Sequence, residues 1–140
     1  MAEDRVATEL LTGLSLFADL TAPEIEAAAH ALEEQTFSAG ERVLRQGFSG
    51  TGFYIVVEGE LDVRINGEDR GRLTRGEYFG EISALLSEPP TGDVIARTEC
   101  RCLSLPAAEL PGFLRSFPSV AYRLLQAEAR RLKAADQWRN

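Results

Sequence analysis

The sequence predicts a mainly β domain flanked by helices, an α+β chain in the order helices, β-roll, helices. Three observations carry this prediction. Nine glycines fall between residues 40 and 80, separating short runs such as "RVLRQ", "FYIVVE", "ELDVRI" and "RGRL". That spacing reads as many short strands joined by tight turns, a roll or barrel. Leu61, Val63 and Ile65 alternate with Asp62 and Arg64, so one strand face is core and the other is wet. Helical patterning holds at both ends of the chain, where the glycine spacing fails.

The chain has 140 residues, 44% of them hydrophobic and 26% charged, the profile of one globular domain. Helices are expected over residues 3–33, the roll over 35–105 and further helices over 106–138. In the first region "RVATELLTG" ends on Gly13, a C′ residue, and "TAPEIEAAAHALEE" follows. There Thr21 and Glu24 form a capping box, and Pro23 is acceptable in a first turn. Within the roll, Asn66-Gly67 between two strand-like runs signals a type I′ hairpin. "DVIARTECRCLSL" restores strand character after residue 92, and "PAAELPGFLRSF" is helical again. The last segment, 118–138, carries Val120, Ala121, Leu124, Leu125 and Leu132 on an apolar stripe. Arg123, Arg130, Arg131 and Lys133 are expected on its solvated face.

Several function classes are disfavoured. A formal net charge of -7 does not suit a chain that grips phosphate backbones by itself. No apolar run approaches the ~20 residues of a membrane span, and "MAEDRVATELL" reads as no signal peptide, so a cytoplasmic location is expected. The single histidine, His30, sits on a helix before the roll and gives no legible Ser–His or Cys–His pair. Glu33-Glu34 reads as a solvated helix end. Cys100 and Cys102 are too few for a metal cluster and read as free core thiols. An enzyme is therefore not expected, nor a metal site.

The chemistry concentrates in "FGEISALLSEPPTGDV", residues 79–94, where one short helix interrupts the strands. Gly80 permits close approach of backbone to a ligand. Glu81, Ile82 and Ser83 would form a first helical turn whose N–H groups favour an anion. Glu81 could accept from sugar hydroxyls; the plainer alternative is that it caps the turn.

Taken together, "GERVLRQG", "FYIVVEGELDV", "RGEYFGEISALLSEPP" and "DVIARTECRCLSLP" resemble the cyclic-nucleotide-binding domain family, which includes Crp/Fnr-type sensor domains and the regulatory domains of cAMP-dependent kinases. The resemblance covers about residues 14–135. It implies an eight-stranded, jelly-roll-like β-roll with flanking helices and a non-catalytic regulatory role. It also implies cAMP or another cyclic nucleotide as ligand. By position, Gly80 and Glu81 match residues that meet the ribose, and Ile82 and Ser83 match residues whose backbone faces the phosphate. Pro89 matches a family proline. The next position should be an arginine forked onto the phosphate, and here it is Pro90. Thr91 and Gly92 fit small-residue positions, while Asp93 stands where Thr or Ser is usual. A proline supplies no donor. The cassette is thus degenerate, and weak or lost binding of cAMP and cGMP is expected. Arg45, Arg72, Arg75 and Arg97 read as solvated strand residues rather than substitutes.

Two further readings stand beside the sensor: a ligand-free module for partner contact, and the sensor half of a Crp/Fnr-type regulator without its DNA-binding domain. The resemblance also implies a homodimer through helix 118–138, zipped by Leu125 and Leu132 with Trp138 near its end.

Overall fold

The computed structural model describes residues 8–48 and 52–139, with side chains through residue 135. The start of the first expected helix and the side chain of Trp138 lie outside those residues. Residues 8–12 are helical (α1). The second helix, α2, spans Ala22–Ala31 and carries the expected capping box: the Thr21 side chain accepts from the Glu24 N–H, and Glu24 Oε1 accepts from the Thr21 N–H at 2.9 Å. The chain then turns to strand two residues before the expected start of the roll.

Eight strands follow: β1 Glu33–Phe37, β2 Arg42–Leu44, β3 Gly52–Glu58, β4 Leu61–Ile65, β5 Glu68–Leu73, β6 Tyr78–Phe79, β7 Asp93–Ala96 and β8 Cys100–Pro106. They form two antiparallel four-stranded sheets, ordered β1-β8-β3-β6 and β2-β7-β4-β5. This is the predicted roll. Glu33 and Glu34 are not a helix end; they open β1, where Glu34 accepts from Arg101 of β8 at 2.7 Å. The hairpin between β4 and β5 turns through Asn66 (φ 53°) and Gly67 (φ 80°), both left-handed, as the type I′ reading requires.

Two cores share the first sheet. Phe53, Ile55 and Val57 of β3 and Leu103 and Leu105 of β8 face the helices, among them Leu11, Phe17, Ala28, Leu110, Phe113, Val120 and Leu124. Val56 of β3 and Cys100 and Cys102 of β8 point into the roll with Leu44, Leu61, Leu73, Phe79 and Val94. Strand β3 therefore reads as a nearly continuous apolar run, because neither of its faces is wet. Both cysteines are free and buried.

Between β6 and β7 lies α3, Glu81–Leu86, and after β8 come α4, Leu110–Ser116, and α5, Pro118–Arg139. The base of α5 is fixed by Val120 and Leu124 in the helical core and by Arg123, which donates to both Asp19 oxygens at 2.8 and 2.9 Å. Among the described residues no helix is long and apolar enough to cross a membrane.

Gly80, the N-cap of α3, has φ 86°, and a Cβ there would lie 2.0 Å from the Gly52 carbonyl oxygen on β3. The requirement for glycine thus comes from β3, not only from a ligand. Gly80→Ala is expected to destabilise the domain by on the order of 2–4 kcal/mol, since both the left-handed backbone and the contact oppose a side chain. Urea unfolding of the two proteins measures this.

Candidate functional site

The roll encloses a cavity of about 280 Å³. One wall is apolar and comes from Leu44, Val63, Ile65, Leu73 and Val94 on strands β2, β4, β5 and β7. The other is the segment from Tyr78 to Ser83 and from Pro90 to Gly92. All six residues singled out in the sequence, Gly80, Glu81, Ile82, Ser83, Pro90 and Thr91, border this one space. Their convergence follows from chain order: α3 is inserted between β6 and β7, which belong to different sheets.

Each plays a definable part. Gly80 turns the chain from β6 into α3. Ser83 is buried, and its hydroxyl donates a short hydrogen bond to the Glu88 carbonyl, while the Glu88 N–H returns to the Ser83 carbonyl at 3.2 Å. That hydroxyl is spent on closing the cassette loop. Ile82 is 45% exposed and Thr91 is exposed at the mouth. Pro90 is buried, and its carbonyl accepts from the Gly47 N–H at 2.9 Å, tying the cassette to the loop after β2. Asp93 does not border the cavity: its carboxylate accepts from the Gln46 N–H at 2.8 Å, so it turns towards β2.

Glu81 is only 3% exposed, yet it is an ionisable group. Arg131 of α5 donates to its Oε1 at 2.9 Å, across 50 residues of chain. The same guanidinium lies 4.8 Å from the centroid of the Tyr78 ring and 3.4 Å from Glu128 Oε1, which also accepts from the Tyr78 hydroxyl at 3.2 Å. Four side chains from β6, α3 and α5 thus form one cluster at the cavity wall. Burial, and next a hydrogen bond shared with the Glu128 carboxyl, push Glu81 up to about 7; its own backbone N–H and Arg131 pull the other way. Glu81 is therefore no mere cap of its turn. It is a buried carboxyl poised between two charge states near neutral pH.

Arg131 was expected on the solvated face of the helix, and it instead borders the cavity, half exposed. The signal was in the spacing. Leu124, Glu128 and Arg131 stand at i, i+4 and i+7, so Arg131 continues the buried stripe, not the outer one. Arg72 likewise borders the cavity, but its guanidinium pairs with Glu60 and Asp62. Arg45 stands over Phe48, Arg75 donates to the Val57 carbonyl and Arg97 pairs with Asp62. The cavity-lining residues of β4, β5 and β7 carried no signal beyond ordinary strand alternation.

An eight-stranded roll, a glycine-led short helix on its cavity and a terminal helix reaching back to that helix define a class of pocket-bearing β-roll. The model of the cyclic nucleotide-binding domain matches residues 34–117, and the chain belongs to that family. It is 32% identical over 120 residues to a putative potassium channel protein of Rhodopseudomonas palustris, an alignment covering 84% of this chain and 29% of that protein. The catabolite activator protein of Thermus thermophilus aligns with TM-score 0.79 at 29% identity, over 87% of this chain and 60% of that one. A Trypanosoma brucei structure, the regulatory subunit of a cAMP-independent protein kinase A in a triply substituted form bound to cAMP, aligns with TM-score 0.76 at 25% identity, over 95% of this chain and 52% of that one. The chain spans less than a third of the length of the curated relatives it matches.

Because Glu81 holds its proton more tightly in the folded protein than the ordinary carboxyl near 4.5, folding takes up a proton between about pH 4.5 and 7. Stability should fall as pH rises through that window and level off above it. Relative to Glu81→Gln, the natural protein should lose on the order of 2–3 kcal/mol between pH 5 and pH 8, measured by denaturant unfolding at each pH. A flat difference would show that Glu81 titrates normally.

Proposed function

We propose that this chain is a non-catalytic sensor or regulatory module of the cyclic-nucleotide-binding type, in which affinity for cAMP and cGMP is weak or lost. The observation that carries the reading is Pro90, buried on the cavity wall where the family's phosphate-binding arginine belongs. A buried monoanion needs charge-assisted partners, and one hydrogen bond to a charged group contributes roughly 1.5–3 kcal/mol. Proline offers none. The Trypanosoma brucei relative lends support: it is the regulatory subunit of a cAMP-independent protein kinase A, and its cAMP-bound form carries three substitutions, one of which introduces an arginine.

The output runs through α5. Glu81 is the residue suited to accept ligand hydroxyls, and it is already held by Arg131 of α5. A ligand that takes over the Glu81 carboxyl releases that grip and shifts the helix between two packings; the shift is limited by the ligand's preference for one of them.

The exposed side of α5 favours a homodimer. Tyr122, Leu125, Ala129 and Leu132 are all exposed, and their 3-4-3 spacing is that of a coiled-coil seam. Their partner in this reading is the same stripe of a second copy. The two roles are compatible, since the Arg131 edge faces the roll while the Leu125 edge faces away. A purely ligand-free interaction module keeps the dimer and loses the switch. A regulator's sensor half adds a DNA-binding domain to the same arrangement.

Calorimetric titration with cAMP and cGMP should show weak or no binding. Pro90→Arg should create or strengthen it, by about tenfold or more. Micromolar affinity in the natural sequence, unchanged in Pro90→Arg, would overturn the reading of the pocket. For the dimer, light scattering should give a mass twice that of the chain, and the double substitution Leu125→Glu with Leu132→Glu should return it to monomer. A natural protein that stays monomeric at high concentration rules the dimer out.

A further inference from the structure

Three arginines border the cavity, and they are not equally engaged. Arg131 donates to the buried Glu81 carboxyl at 2.9 Å. Arg72 pairs with Glu60 at 3.2 Å and with Asp62 at 3.5 Å. Arg70 pairs only with Glu68 among the described residues, at 3.5 Å, and the two side chains are 55% and 75% exposed. An ion pair so open to water contributes little. Arg70 is therefore the guanidinium most easily turned to another anion.

A β-bulge sets the face on which Arg70 lies. Leu61, Asp62 and Val63 of β4 pair with Leu73, Arg72 and Gly71 of β5; Arg64 and Ile65 then pair with Asp69 and Glu68. Arg70 is the extra residue and stands opposite no residue of β4. Residues paired across two strands share a sheet face. Arg64 and Asp69 thus lie on the outer face with Asp62 and Arg72, and they form an ion pair there at 2.9 Å. Glu68 shares the inner face with Ile65, which lines the cavity, and it is Glu68 that Arg70 reaches. Unbroken alternation would have put Arg70 outside, two residues from Arg72. The bulge re-aims it inward.

This end of the hairpin is also the end where Pro90 lies. A Cβ on Gly92 would meet the Arg64 carbonyl oxygen at 2.8 Å and Ile65 Cγ1 at 3.0 Å, so the cassette packs against the last residues of β4. Gln46 ties the two together. Its side chain exchanges hydrogen bonds of 2.8 and 2.9 Å with Asn66 of the hairpin turn, and its N–H donates to Asp93 at 2.8 Å. The next N–H, that of Gly47, donates to the Pro90 carbonyl at 2.9 Å. Arg70 and Pro90 thus border one cavity on two segments that are held to each other.

We propose that Arg70, brought to the cavity side by the β-bulge, is the counter-ion for the phosphate of a nucleotide bound beside Pro90, replacing from strand β5 the arginine that position 90 lacks. This rests on the regulatory-module reading above and takes its weak-affinity form. A half-exposed arginine shared with Glu68 holds an anion less firmly than a buried one, because water and salt screen it. Glu68 competes with the phosphate for the same guanidinium. The Thr91 hydroxyl, also on the cavity, adds an uncharged donor.

Calorimetry with cAMP and cGMP on the full chain tests this. Arg70→Gln should weaken binding about tenfold, the loss of one hydrogen bond to a charged group, while its urea midpoint stays that of the natural protein. Arg70→Lys should recover part of the loss. Glu68→Gln should strengthen binding by a factor of about two to five, since it frees the guanidinium. In the Pro90→Arg background, Arg70→Gln should cost less than about threefold, because two cations serving one phosphate do not act additively. If Arg70→Gln binds as the natural protein does, or if neither nucleotide binds the natural protein at millimolar concentration, Arg70 is not the counter-ion, and the reading of Pro90 stands. Micromolar binding left unchanged by Pro90→Arg overturns that reading instead; a tenfold loss in Arg70→Gln would then still support Arg70.

Discussion

Strand β3 is the constraint on which the rest of the architecture turns, because it lies between two apolar cores and also supplies the carbonyl that presses on Gly80. Its odd-numbered residues from Phe53 to Val57 face the helices, and Val56 faces the roll. A one-residue slip of β3 would exchange the two sets and leave neither core filled. Register is therefore strongly fixed, and with it the position of the Gly52 carbonyl under which α3 begins. The cavity wall is built on that fixed point, so the site inherits its rigidity from the core.

The cluster of Tyr78, Glu81, Glu128 and Arg131 has the opposite character. It joins the rigid roll to the outer half of α5, where the apolar contacts of Val120 and Leu124 have given way to polar ones. A buried carboxyl near its titration point, held by a half-exposed arginine, is a contact that can be exchanged. Removing the arginine would not strand a charge, because Glu81 would simply hold its proton. Such a contact suits the proposed switch better than a clamp, because exchanging it leaves no unpaired buried charge.

Charge balance links the two parts. Of the guanidinium groups at the cavity, Arg72 pairs with Glu60 and Arg131 with Glu81. Asp93 plays no part in that balance, since it faces the Gln46 backbone. The weak affinity proposed for cyclic nucleotides then rests on Pro90, which stands on the cavity wall and has no donor.

Much of the fold could be read locally. The capping box at Thr21 and Glu24, the Asn66-Gly67 hairpin, the alternation of β4 and the order of helices and strands all depend on residues within a few positions of one another. The cassette residues Gly80 to Thr91 were legible as a group because one short loop carries them, and the proline at position 90 is a fact of the sequence alone. Only the tertiary structure decided that Arg131 reaches Glu81, that the Ser83 hydroxyl is consumed by Glu88, that Asp93 turns away and that Arg72 borders the cavity while pairing with acids. Each of these depends on which face of an element meets another element. Helical periodicity offers candidate faces, and packing across 50 residues of chain selects among them.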